Sequence, residues 1–244
     1  MNATFLSAEW RHLVMLNYAV KRTLLEPLVP SGLEPDEFDG TTYVSVVGFL
    51  FLRTRVFGIA FPFHRNFEEV NLRFYVRHRA AEGWRRGVVF VREIVPRRAI
   101  AVLAQHFYGE PYVAYPMSHA IEREGDRLRC RYAWRRNGCD EFISATASGS
   151  PAFVAPGSAE EFITEHHWGY TARHGQCAQY QVEHPPWRVW RATDTLFEAD
   201  VASLYGPGFA APLSAPPTSA FIAEGSPVVV RRGSPLGSAP LTAD

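Results

Sequence analysis

The segment "NFEEVNLRFYVRHR", residues 66–79, holds the residue types best suited to chemistry. Glu69, Asn71, Arg73 and Tyr75 recur at every second position. On a strand they share one face, while Val70, Leu72, Phe74 and Val76 share the other. A glutamate in such a row could act as a general base, and an arginine could clamp a carboxylate through two parallel hydrogen bonds. Burying the two together is costly unless both are well hydrogen-bonded. The same alternation also describes a strand that turns its polar row to water and forms cross-strand ion pairs. The residues alone leave both readings open.

Two further clusters carry suitable groups. Tyr108, Tyr112 and Tyr115 surround a helix-to-strand junction, and a phenol with an ordinary pKa of about 10 stays protonated as a donor at neutral pH. Such a tyrosine is equally a packed aromatic with a satisfied hydroxyl. Glu165, His166, His167, Trp168 and Tyr170 form the densest group of titratable and aromatic side chains. On a strand His166 and His167 point to opposite faces, and neither has a histidine four residues away, so no metal site is expected. Glu165 and His167 share a face and are candidate ligand contacts, as is His184, which could cap a pocket or brace the Pro185-Pro186-Trp187 turn. The chain has no glycine-rich phosphate loop, nucleophile elbow or dinucleotide fingerprint, so no cofactor is expected.

The elements that would position these residues are mostly strands. Apolar residues between Trp10 and Leu28 recur largely at threes and fours, which predicts a helix over 8–29, ended by Pro30-Ser31-Gly32. Strands are expected at 41–52, 67–77, 86–94, 112–122, 126–135 and 141–148. Further strands are expected at 167–173, 178–184, 187–192 and, as one bent strand or a pair, 219–232. Short helices are expected at Pro96–Tyr108 and, behind the capping box of Ser158 and Glu161, at 159–164; residues 194–205 read as helix or strand. No composition break marks a linker, so residues 1–232 are expected to form one domain. The tail at 233–244 reads as disordered.

Composition narrows the partners. The chain has 244 residues, 47% of them apolar and 20% charged, with a formal net charge of zero. Nothing in this balance favours nucleic acid or a membrane surface. Three cysteines without a CxxC spacing fit reduced thiols in a cytoplasmic protein. Lys21 is the one lysine among 25 basic residues, so any mechanism needing an amine has one candidate. Edge strands and the expected N-terminal helix leave room for a homodimer.

Five stretches together resemble an uncharacterised bacterial family, domain of unknown function 2071: "VPSGLEPDEFDGTTYVSVVGF" (29–49), "FEEVNLRFYV" (67–76), "FYGEPYVAYPM" (107–117), "FITEHHWGYTAR" (162–173) and "VEHPPWRVW" (182–190). That family resembles a distant branch of the acetoacetate-decarboxylase-like barrels. The resemblance implies a mainly β (β-rich α+β) fold: a single antiparallel, closed or nearly closed barrel around a pocket. It also implies a glutamate facing inward from the strand at 67–76. In the decarboxylases a lysine forms a Schiff base; here Tyr112 stands at the comparable place, and a phenol cannot form an imine. Acetoacetate decarboxylase activity is therefore not expected. The expected function is a pocket for an organic anion or carbonyl compound, with Glu69, Arg73 and Tyr112 as catalytic candidates and Asn71, Tyr75, Tyr108, Glu165, His167 and His184 as binding candidates. The chemistry would be that of a lyase, hydratase or isomerase, and the alternative is a binding or sensing protein without catalysis.

Overall fold

A strand, β1 (Thr4–Val20), runs where the spacing predicts the N-terminal helix. The cause lies at His12, whose φ is 54° and which sits where the β-pairing register shifts. The bulge reverses the alternation. Ala8 and Trp10 face inward before it, and Leu13 and Met15 face inward after it, so one face shows a step of three that mimics a helix. Val14, Leu16 and Tyr18 pack in a second core on the outer face. With both faces buried, the polar alternation of a surface strand is absent. Only α1 (Arg22–Leu25) and a 3-10 turn at Glu26–Leu28 are helical here.

The computed structural model describes residues 3–173 and 176–237. After α1 come β2 (Glu34–Pro35), β3 (Thr42–Val56), β4 (Phe67–Ala80) and β5 (Gly83–Val95), then α2 (Arg98–Tyr108), β6 (Tyr112–Ala114), β7 (Met117–Glu124), β8 (Arg127–Arg136) and β9 (Cys139–Ser148). There follow β10 (Ala152–Phe153), α3 (Ala159–Thr164), β11 (Trp168–Arg173), β12 (Gln176–Glu183), β13 (Arg188–Glu198), α4 (Val201–Tyr205), α5 (Pro207–Ser214), β14 (Ser219–Arg231) and β15 (Ser234–Pro235). Two expectations change in detail. The strand at 112–122 is broken at Tyr115-Pro116, and Ser234-Pro235 pairs with Ala178 and Gln179 where a disordered tail was expected. Residues 238–244 of that tail lie outside the described residues.

Pairing runs β12–β11–β5–β4–β3–β1–β14, and β14 returns to β12 through Val182↔Val230, so the strands close a ring. The ring is not wholly antiparallel: β5 pairs in parallel with β6 and with β11. Its β13 side opens into a second layer. Val189–Arg191 pair with β14, and from Ala192 onward β13 pairs with β9, bringing β7, β8 and β9 over the outside.

This second layer decides which face of β4 is inside. Val70, Leu72, Phe74 and Val76 pack outward with Tyr132, Trp134 and Ile143. Gly48 of β3 allows the close approach, because a Cβ there would lie 2.8 Å from the Tyr132 ring. The opposite row, beginning with Phe67 and Glu69, therefore faces the interior of the ring. There α3 closes one end: Ser158 caps it by accepting from the Glu161 N–H at 3.1 Å, and Phe162 is inserted against Tyr43, Tyr75 and His166. No helix among the described residues is long and apolar enough to cross a membrane.

Candidate functional site

Inside the ring is a cavity of about 340 Å³. Cross-strand register assembles its polar end. Val47, Asn71, Glu93 and Tyr112 stand in one row across β3, β4, β5 and β6, and Glu69 lies one inward position along β4, opposite Phe49. Arg73 lies one inward position the other way, opposite Ser45. Asn71 Nδ2 donates to Glu69 Oε1 at 2.9 Å, and the Tyr112 hydroxyl donates to Oε2 at 3.1 Å. Arg73 donates through Nη2 to the Ile163 carbonyl at 3.2 Å, and its Nε is buried without a hydrogen-bond partner among the described residues.

Two carboxyls join Glu69 that sequence reasoning did not single out. Glu93 lines the same cavity and has one buried oxygen, Oε2, without a partner among the described residues. Glu110 accepts from the Tyr180 hydroxyl at 2.9 Å. Tyr180 reaches it across Gly169, where a Cβ would fall 2.1 Å from the ring.

The electrostatics follow from three acids in a largely apolar chamber with one nearby cation. Burial raises Glu69 to about 7 against the hydrogen bonds of Asn71 and Tyr112 and the charge of Arg73. Burial, then the repulsion of Glu110 and Glu69, raises Glu93 well above the carboxylate range. Burial raises Glu110 to about 8, opposed by the Tyr180 hydrogen bond. Burial and the two neighbouring glutamates hold the Tyr112 phenol protonated. Near neutral pH the cluster therefore holds protons to give, and Glu69 is poised to take one.

The other sequence candidates divide. His184 lines the cavity, stacks on Trp187 at 4.1 Å and is lowered by burial to about 4. Tyr75 is fully buried but does not line the cavity. Its hydroxyl shares a 2.6 Å hydrogen bond with Ser45, and the rings of Phe162 and His166 cover it. Glu165 and His167 also fall outside the lining; they bond to each other at 3.0 Å. The turn after α3 sends His166 inward in their place. His166 Nε2 bonds Asp36 at 3.1 Å, and burial lowers the imidazole to about 4. The side chain of Tyr108 lies outside the described residues. Lys21 is exposed at the end of β1 and does not line the cavity.

This architecture has solved counterparts. An acetoacetate decarboxylase from Legionella pneumophila superposes with a TM-score of 0.64 at 13% identity, over 99% of this chain and 90% of that one. The enduracididine biosynthesis enzyme MppR, complexed with pyruvate, superposes with a TM-score of 0.69 at 14% identity, over 99% and 93%. At such identities the likeness shows the fold alone, an acetoacetate-decarboxylase-like one. The uncharacterised protein YqjF of Bacillus subtilis (strain 168) is 27% identical over 202 residues, which are 81% of this chain and 80% of that protein. Family DUF2071, described as an uncharacterized conserved protein, matches residues 7–227, and the chain belongs to that family.

Proposed function

We propose that the cavity binds an organic anion or carbonyl compound and performs acid–base chemistry without a covalent lysine, as a lyase, hydratase or isomerase would. The observation that carries this reading is Glu69: a buried carboxyl raised to about 7 and held between Asn71 and Tyr112 beside Arg73. A base with a pKa near the working pH combines a useful ionised fraction with real proton affinity. In this reading Arg73 holds the anionic group. Glu69 removes a proton next to the carbonyl, and Tyr112 or protonated Glu93 supplies a hydrogen bond to the oxyanion that forms. The fold's likeness to a protein complexed with pyruvate makes 2-oxo acids the first class to try. The free cysteines are consistent with a cytoplasmic setting.

The test is proton–deuterium exchange at the carbon beside the carbonyl of pyruvate and phenylpyruvate in D₂O, followed by proton NMR. Exchange by the wild type and its loss in Glu69→Gln support the proposal. Binding without exchange would make this a binding or sensing protein, and neither binding nor exchange would overturn the ligand class. Borohydride treatment is expected to leave no adduct, and trapping at Lys21 would overturn the lysine-free chemistry.

A further inference from the structure

The cavity is graded along one axis. The inward row of β4 reads Arg73, Asn71, Glu69, Phe67, and the paired positions of β3 read Ser45, Val47, Phe49, Phe51. The β4 row stays polar from Arg73 to Glu69 and ends at Phe67, and the β3 row turns from Ser45 to aromatic, over six residues or about 20 Å at about 3.4 Å per residue. Past Glu69 the lining is mostly hydrocarbon. Phe51 and Phe67 stack at 4.7 Å, and Trp10 packs edge-on against Phe49 at 5.3 Å and Phe51 at 5.7 Å. Phe61 also lines the cavity and is 47% exposed, so the apolar end has a lining residue that reaches solvent.

Volume gives a second constraint. The cavity's 340 Å³ equals about eleven water-sized groups at about 30 Å³ each. A three-carbon oxo acid would use about half of that and leave the aromatic end unfilled. Polar groups on the lining there are few, Trp10 Nε1, Thr54 Oγ1 and His64, while an ordered water needs two or more polar partners.

We infer that the ligand is an amphiphile: an oxo acid or related anion with its head at Arg73, Asn71 and Glu69 and an apolar tail of roughly six carbons or one aromatic ring against Phe49, Phe51 and Phe67. The inference rests on the organic-anion reading above and adds the tail to it. The strand register forces the arrangement. A head at the aromatic end would lose its charged partners, and a tail at the polar end would bury three carboxyls against hydrocarbon.

The experiment is calorimetric titration of the full chain with pyruvate, 2-oxohexanoate, 2-oxooctanoate and phenylpyruvate. Affinity is expected to rise about fourfold per added methylene and then level off once the arm is filled. Phenylpyruvate is expected to bind at least tenfold more tightly than pyruvate. Val182→Trp, which enlarges a lining residue of β12 packed with Phe5 and Val230, is expected to reduce the gain with length. Equal affinity across the wild-type series would overturn the tail and leave the organic-anion reading standing. Failure of every acid to bind would overturn that reading, and the tail with it.

Discussion

The Tyr112 hydroxyl donates to Glu69 Oε2 across 3.1 Å, joining the short strand β6 to the long strand β4 over the intervening β5. This bond places a phenol that cannot form an imine on a carboxyl that burial has turned into a base near neutral pH. It defines the site more closely than either residue does by itself.

Removal of that donor has a directional consequence. In Tyr112→Phe the Glu69 carboxyl loses an interaction that lowers it and should titrate above about 7. Exchange of phenylpyruvate should slow by about 10²-fold, and the limb of the pH–rate profile assigned to Glu69 should move to higher pH. Stability should change by only about 1 kcal/mol. An unmoved limb would show that the bond does not tune Glu69.

The acid cluster also sets how stability responds to pH. Glu69 and Glu110 ionise in the folded chain at about 7 and about 8, above the ordinary value of 4.5. Between these values the native state holds protons that the unfolded chain has lost, so unfolding releases protons and stability falls as pH rises. His166 and His184, lowered by burial to about 4, act with the opposite sign below their ordinary 6.5, so urea midpoints should decline from about pH 6.5 to pH 8, and Glu110→Gln should flatten the decline. The same slope in that variant would remove Glu110 from the explanation.

Gly169 is expected to be intolerant of a side chain. A Cβ there would lie 2.1 Å from Tyr180 Cζ, so Gly169→Ala must push the ring away from Glu110. A cost of about 1–3 kcal/mol is expected in chemical denaturation. Glu110 should rise further above about 8, since the Tyr180 bond is what lowers it. Tyr180→Phe should reproduce the titration shift at about 1 kcal/mol or less, which separates the lost bond from the steric strain.

A control lies in the outer layer. Arg136 and Glu141 form an ion pair at 2.9 Å with both side chains 6% exposed, and Trp134 Nε1 also donates to Glu141. Glu141→Ala would leave the guanidinium buried without its main partner and should cost about 3–5 kcal/mol. Affinity for phenylpyruvate in the variant that remains folded should match the wild type. A large loss of affinity would mean that the outer layer shapes the cavity more than its contacts imply.

Much of the strand framework was legible. β4, β5, α2 and the capped α3 fall close to where alternation, Gly109 and the Ser158–Glu161 pair place them, because each depends on neighbours within a few residues. The errors share a cause. Bulges break the two-residue period, so β1 looked helical at His12. On β5 the shift opposite Leu72/Arg73 puts Glu93 on the same face as Val88 and Phe90 against simple parity. Glu110 was masked by its setting, since Gly109-Glu110-Pro111 reads as a helix stop whether or not the carboxyl is buried. His166 and His167 could not be told apart, because the turn after α3 chooses between them.

By itself the sequence determined that Glu69, Asn71 and Arg73 share a face, and that the one lysine, Lys21, lies outside that row. Those are consequences of covalent order and of the strand's period. Tertiary structure decided that this face looks into the ring. The reason is that β7, β8 and β9 fold over the opposite face and bury Val70, Leu72, Phe74 and Val76. Tertiary structure also brought Glu93 and Glu110 beside Glu69, since the strength of a charge–charge or desolvation effect depends on distance and surroundings in space, and neither is written in the order of residues.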